Sequence, residues 1–156
     1  AGLRRLEADV LAAKPAFVVI LFGTNDTRLD APKVHVPLER YVSNLREMVA
    51  RCTAGGAGVV LCTVPPIAEE PYFKRHERAA FAAAGGLAAV LESYRAAVVQ
   101  LGTELAVPVV DLHAALALRP EWLSPDGVHP APAGNTLIAQ LVAEKVAPLL
   151  GELSQR

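Results

Sequence analysis

The sequence is poor in cysteine, in aromatic residues and in any excess of charge. Its two cysteines, Cys52 and Cys62, are too few for a disulfide framework in a chain of 156 residues, and no spacing resembles a zinc knuckle. Cys62 stands in an apolar run and Cys52 near a predicted helix end. Both are expected to be buried reduced thiols, which fits a reducing compartment such as the cytoplasm. Fifteen Lys and Arg against sixteen Asp and Glu leave a formal net charge of −1. Without a basic run the chain lacks the electrostatic footprint of a nucleic-acid binder or of a protein held on an anionic membrane surface. The longest strongly apolar stretch, residues 17–22, is far below the roughly 18 residues of a membrane span. The N-terminus has neither the apolar core nor the cleavage site of a secretory signal. Serine is scarce too: Ser43, Ser93, Ser124 and Ser154 are the only four.

What is abundant is small and apolar. Hydrophobic residues make up 53% of the chain, and 28 of its positions are Ala, so the excess over the usual composition reflects helix formers rather than greasy surface. Periodicity alternates between helix and buried strand. Leu3, Leu6, Val10 and Leu11 recur at helical spacing, and Pro15 ends that helix near Lys14. Residues 17–22, β-branched and aromatic, predict a strand covered on both faces, closed by Gly23. Tyr41, Val42, Leu45, Met48 and Val49 predict a helix stopped by the glycines of residues 55–58. Residues 59–63 predict a second strand, halted by Pro65 and Pro66. Residues 79–105 are helical with a break at Gly85 and Gly86, residues 107–111 form a third short strand, and a last helix after Pro132 turns Leu137, Leu141, Val142, Val146 and Leu149 inward. Residues 67–78, rich in charge and aromatics, read as an excursion or lid. Strand alternating with helix is the signature of an α/β fold with a parallel sheet and right-handed crossovers, here a three-layer α/β/α sandwich in one domain spanning residues 1–156. Three strands are few for such a sheet.

Ligands of open parallel sheets bind beyond the carboxyl ends of the strands. The segment after the first strand, Gly23-Thr24-Asn25-Asp26, and the segment Ser124-Pro125-Asp126-Gly127-Val128-His129-Pro130 carry polar groups suited to catalysis. Asp126 and His129 are three apart around a glycine. Their carboxylate can accept from imidazole Nδ1–H and leave Nε2 as a general base. The same residues also suit an ordinary Asp-Gly turn with a His near a helix N-terminus. Asn25 can offer its side-chain NH2 to a developing oxyanion, and Asn25-Asp26 equally suits a helix-capping or Asx-turn pair. Asp111 and His113, together with Asp126 and His129, have the composition of a metal site, but Asp111 is better placed to end a strand and cap the segment after it. His35 and His76 sit among charges and are expected to be solvated. Trp122, Tyr72 and Phe73 either line an apolar acyl or alcohol pocket or pack under a loop.

Gly-Thr-Asn-Asp after a buried strand, then Asp-Gly-Val-His-Pro near the C-terminus, resembles the third and fifth sequence blocks of the SGNH, or GDSL-type, esterases and lipases. Finer likeness runs through Phe22–Asp26, His35–Tyr41, Asn44-Leu45, Thr63–Pro66 and Leu123–His129, which are similar to the isoamyl acetate-hydrolysing esterase branch. The resemblance covers residues 17–150. It implies an SGNH-type, flavodoxin-like sandwich that hydrolyses small short-acyl esters, with no cofactor and no metal. It assigns Asn25 as an oxyanion donor, His129 as general base and Asp126 as its partner. The family's Gly-Asp-Ser nucleophile block has no counterpart in this sequence, since none of the four serines follows Gly-Asp.

The expectation is therefore an N-terminally truncated hydrolase lacking its first strands and its nucleophile, and inactive alone. Its expected partner is a small-molecule ester, with neither nucleic acid nor membrane. The alternative is a non-catalytic ligand- or protein-binding module on the same scaffold. Truncation would also leave an apolar edge on residues 17–22, and self-association through that edge is expected.

Overall fold

A computed structural model describes residues 2–153; Ala1 and the tail that carries Ser154 lie outside the described residues. Helix α1 (Gly2–Asp9) passes into a 3-10 turn, Leu11–Ala13, and ends where Lys14 adopts a left-handed φ of 48° ahead of Pro15. Strands β1 (Phe17–Leu21), β2 (Gly58–Cys62) and β3 (Val109–Val110) follow in the sheet order β1-β2-β3. Both pairings are parallel, with Phe17 opposite Gly58, Leu21 opposite Cys62, and Cys62 opposite Val110. The remaining helices are α2 (Leu38–Ala54), α3 (Glu69–Tyr72), α4 (Leu87–Leu105), α5 (Leu112–Leu116) and α6 (Pro132–Leu153).

β2 separates two apolar clusters. Val59 and Leu61 join Leu6, Leu45, Val49, Leu91, Val98 and Leu101 from α1, α2 and α4 on one face. Val60 and Cys62 face the other way, toward Leu112, Leu116, Trp122 and the inner side of α6. The α/β/α sandwich with a parallel sheet is thus present, and Leu137, Leu141, Val142, Val146 and Leu149 do turn inward, each only half-buried. The helical stretch over residues 79–105 breaks where expected. A 3-10 segment, Arg78–Ala84, meets α4 at 58° through Gly85 and Gly86. β3 is shorter than its apolar run, because Pro108 has no N–H to donate and Asp111 leaves the ladder to cap α5, accepting from Ala114 N at 3.2 Å.

One expectation fails. β1 is not covered on both faces: Val18 and Ile20 are 8% and 4% exposed, but Val19 and Leu21 are 43% and 41% exposed. The helix on that side, α6, packs over β3 and the 3-10 turn Pro120–Trp122 and leaves β1 bare. The outer edge of β1 pairs with no strand among the described residues. A slot of about 260 Å3 runs along it, between α1 and residues 18–22.

Helix α6 begins in unusually close contact with Trp122. A Cβ built on Gly134 would fall 2.1 Å from Trp122 O and 2.9 Å from its carbonyl carbon. Gly134→Ala is therefore expected to push α6 outward and cost about 1–3 kcal/mol, as overpacking usually does. Urea unfolding followed by the fluorescence of Trp122, the one tryptophan of the chain, checks this; an unchanged midpoint would show that α6 moves freely.

Candidate active site

The carboxyl ends of β1 and β2 and the loop before α6 enclose a cleft of about 510 Å3. Gly23, Thr24, Asn25 and Asp26 form its floor at the end of β1, and Val128, His129 and Pro130 form one wall. Residues 67–78 contribute a second wall through Tyr72, Arg75 and His76, adjoining the first. They are not a free-standing lid: Tyr72 is 2% exposed, and Ala68 N donates to Gly127 O at 2.9 Å. This contact needs glycine at position 127, whose φ is 76° and whose Cβ would meet Ala68 O at 2.8 Å and Pro71 Cγ at 2.4 Å.

Residues 123–130 form a closed loop, pinned by the antiparallel bridge of Leu123 with Pro130 and by Ser124 N donating to His129 O at 2.9 Å. Inside it the Asp126 carboxylate gathers donors. His129 Nδ1 approaches Oδ2 at 2.5 Å, and Oδ1 accepts from Val128 N at 2.8 Å and His129 N at 2.9 Å. The Ser124 hydroxyl stands 2.9 Å from both Asp126 Oδ1 and His129 O, and its one proton serves either. The hydrogen bond from His129, helped by the two backbone N–H groups, holds the Asp126 carboxyl well below the usual carboxylate range. The turn reading and the paired reading of Asp126 and His129 are therefore both realised in one loop. With Nδ1 occupied, Nε2 is the free nitrogen of His129, on a side chain 74% exposed.

Asn25 does not form an Asx turn. Thr27 N donates to Gly23 O at 2.9 Å and Thr27 Oγ1 to Thr24 O at 2.9 Å, which closes the turn without the Asn25 amide. That amide is exposed and has no hydrogen bond among the described residues. Asp26 turns the other way: burial pushes its carboxyl up, against the pull of the backbone N–H groups of Asp26 and Gly23.

Several expectations change. His35 is half-buried rather than solvated, its Nδ1 2.7 Å from Asp26 O. His76, with a side chain 15% exposed, stacks on Tyr72 with ring centroids 4.1 Å apart and meets Asp30 Oδ2 at 2.8 Å. Both imidazoles are drawn in by partners remote in sequence. Trp122 and Tyr72 line the cleft and pack under it at once, whereas Phe73 does not line it. Asp111 is committed to structure, receiving two nitrogens of Arg95 and Thr63 Oγ1 at 2.9 Å besides its cap. Among the described residues no cluster of His, Cys, Asp and Glu has the makings of a metal site. Ser43 lies in α2, and Ser93 in α4 donates to Val90 O. Neither they nor Ser124 line the cleft, and Ser154 is outside the described residues.

Two contributors escape sequence reading. Arg75, remote in sequence, donates to Asp126 O at 3.1 Å and stands 3.8 Å from Oδ2. Arg28, Asp30 and His76 form a cluster in which Arg28 Nη2 lies 3.1 Å and His76 Nδ1 2.8 Å from Asp30 Oδ2, and Arg28 and His76 line the cleft. Its only sequence trace is the helical spacing of Tyr72 and His76.

Comparison with known proteins is consistent with this geometry. The profile of the GDSL-like lipase/acylhydrolase family matches residues 1–137. The mouse (Mus musculus) protein called isoamyl acetate-hydrolyzing esterase 1 homolog is 31% identical over 147 residues, covering 86% of this chain and 59% of its own. The chain thus spans about three fifths of the length of this relative. The crystal structure of a lipase/acylhydrolase from Enterococcus faecalis superposes with a TM-score of 0.72 at 26% identity, over 93% of this chain and 68% of that one. An acetylxylan esterase from Geobacillus stearothermophilus, solved as a catalytic mutant, gives a TM-score of 0.74 at 26% identity, over 93% and 65%. Catalytic mutants of that esterase replace a serine, an aspartate or a histidine, the last two standing three positions apart.

The Asp126 loop carries a pH signature of definite sign. Its folded carboxyl titrates below an ordinary aspartate, near 3.9, so its contribution to loop order is complete above that range and is lost as pH falls through the lowered value. Carboxyl 13C NMR should show the Asp126 signal flat while exposed carboxylates titrate, and Asp126→Asn should remove the acid-side loss of loop order. An Asp126 signal that titrates with the exposed carboxylates would refute the arrangement.

Proposed function

The chain belongs to the GDSL-like lipase/acylhydrolase family, and we propose that it carries the acid–base and oxyanion half of a Ser-His-Asp esterase for small short-chain esters. The observation that carries this reading is one cleft holding the Asp126–His129 pair, with Nε2 free, and an unpartnered Asn25 amide. In the proposed reaction a serine hydroxyl attacks the ester carbonyl while His129 Nε2 takes its proton. Asp126 holds the Nδ1–H tautomer and favours the imidazolium that forms. The Asn25 NH2 donates to the oxyanion as it develops. Collapse of the tetrahedral intermediate sends the proton from His129 to the departing alcohol, and water repeats the sequence on the acyl-enzyme.

No serine among the described residues stands in this cleft. Ser124 lies on the Asp126 side of the pair and serves as its hydrogen-bond donor, not as a nucleophile. We infer that the attacking serine belongs to a preceding segment that packs along the open edge of β1. Three observations support this: the unpaired edge, the exposed Val19 and Leu21 beside it, and the greater length of the relatives. In the Geobacillus esterase the replaced serine also lies near the start of its chain, farther ahead of the aspartate than Asp126 is from Ala1. In the absence of that segment the edge remains open to self-association. A non-catalytic binding module on the same scaffold is the rival reading, favoured by the missing nucleophile.

The 156-residue chain is expected to be nearly inert on p-nitrophenyl acetate and unlabelled by a fluorophosphonate probe. A longer form bearing a Gly-Asp-Ser segment ahead of Ala1 should gain several orders of magnitude. In that form His129→Ala should abolish most of the gain, and Asn25→Ala should lower kcat by about 10²–10³-fold. Full turnover by the present chain with labelling of Ser124 would overturn this account, and a longer form without turnover would favour the binding module.

A further inference from the structure

One wall presents guanidinium groups to the cleft, while their counterions do not line it. Arg28, Arg75 and His76 line the cavity, whereas Asp30 and Asp126, which hold them, do not. Asp26 is the one acidic residue on the lining, and burial pushes its carboxyl up. Asp30 is 6% exposed. Burial alone would raise its carboxyl, but hydrogen bonds from Arg28 and His76 outweigh that and hold it low, so it stays a fixed anion behind the wall.

The wall also carries more donors than it uses. Arg28 engages Asp30 through Nε and Nη2, leaving Nη1, and Arg75 engages the Asp126 loop through Nη2, leaving Nε and Nη1; His76 meets Asp30 through Nδ1, which makes Nε2 an acceptor in the Nδ1–H tautomer. The Tyr72 hydroxyl is buried beside Arg28 and closed off from the cleft, so it braces the wall rather than facing a ligand. Fixed guanidinium forks with unspent N–H donors suit the planar or tetrahedral oxygens of an oxyacid.

We propose that Arg28 and Arg75, braced by Asp30, His76 and Tyr72, form a subsite for an anionic oxygen group, carboxylate or phosphate, on the substrate whose ester bond lies between Asn25 and His129. The proposal rests on the esterase reading for where the ester lies, but the anion site itself needs no hydrolysis. The preferred substrate is then a short ester of a charged acid or alcohol rather than a plain alkyl acetate. His76 stacks on Tyr72 and meets Asp30, which in turn fixes the Arg28 fork.

Binding to the full 156-residue chain, followed by NMR, tests this without a nucleophile. Monoethyl succinate and 2-acetoxyethyl phosphate should each bind at least about tenfold tighter than ethyl butyrate, with the advantage falling as salt is raised. The tighter of the two tells which oxyacid the wall prefers. Arg28→Gln and Arg75→Gln should each remove about 3–10-fold of that advantage, and Arg28→Lys should restore part of it. Amide spectra confirm that each variant is folded, and Arg75→Gln leaves the Arg28–Asp30 pair to support the wall. Equal affinity for charged and neutral esters, or an advantage unchanged in both folded Gln variants, would overturn the subsite. The two readings fail separately. Loss of turnover in His129→Ala of the longer form, without loss of anion preference, supports both. Anion preference without any His129-dependent turnover would sink the esterase reading alone.

Discussion

Everything in this molecule hangs on a strand of five residues that is buried on both faces. β2 offers Val59 and Leu61 to one helical layer and Val60 and Cys62 to the other, and Val60, Leu61 and Cys62 are at most 2% exposed. Such a strand cannot form until both layers are in place, so the two apolar clusters stand or fall together. Removing a large side chain here would cost about 2–5 kcal/mol, a substantial part of the stability of a domain this size. The same burial raises the Cys62 thiol to about 11, so this cysteine acts as a packing group rather than a reactive one. At the end of β2 the polar chain takes over: Thr63 donates to Asp111 and receives His113 N, and Arg95 neutralises the same carboxylate. Burial opposes the Asp111 charge, but Arg95, Ala114 N and Thr63 together hold its carboxyl low. The strand ends are thereby fixed where the cleft begins.

The cleft repeats that strategy with a half-buried carboxylate. Asp126 is ordered mainly by saturation of its lone pairs: two backbone N–H groups and an imidazole occupy them, with a hydroxyl in reach. Arg75 adds a link from residues 67–78, so His129 and that segment are parts of one hydrogen-bonded unit. A substitution at Arg75 would therefore disturb the orientation of His129 as well as the charge of the wall, and the two effects are not additive.

Much of this is legible in the sequence because local chemistry and tertiary demand agree. The strand of residues 59–63, the glycine break at residues 85–86 and the Asp126–His129 pair each depend on neighbours within a few positions, so spacing reveals them. β1 misleads for the opposite reason. Its residues are as apolar as those of β2, but whether Val19 and Leu21 are covered depends on how far α6 reaches, which no residue of β1 encodes. His76 misleads because its partner Asp30 lies 46 positions away. A histidine among charged residues looks solvated until the fold brings an aromatic face and a buried carboxylate to it. On the proposed esterase reading, the bareness of β1 and the want of a serine in the cleft have one explanation.

That coincidence constrains what completes the cleft. β1 runs toward the site: its carboxyl end passes through Phe22 and Gly23 directly into Asn25. A strand added parallel to its open edge would end at the same level, beside Gly23, with its last residues facing the cleft. The exposed outer face of β1 would then lie under whatever helix comes after that strand, which would cover Val19 and Leu21 as α6 covers β2 and β3. A hydroxyl delivered there would enter the cleft that His129 lines, where Nε2 is the nitrogen not taken by Asp126. An antiparallel addition would satisfy the edge equally well but would bring its start, not its end, to the cleft. Edge pairing with a second copy would cover apolar surface without supplying a nucleophile. On the proposed esterase reading, the direction in which the edge is filled, rather than the mere fact of its being filled, decides whether the Asp126–His129 pair has anything to deprotonate.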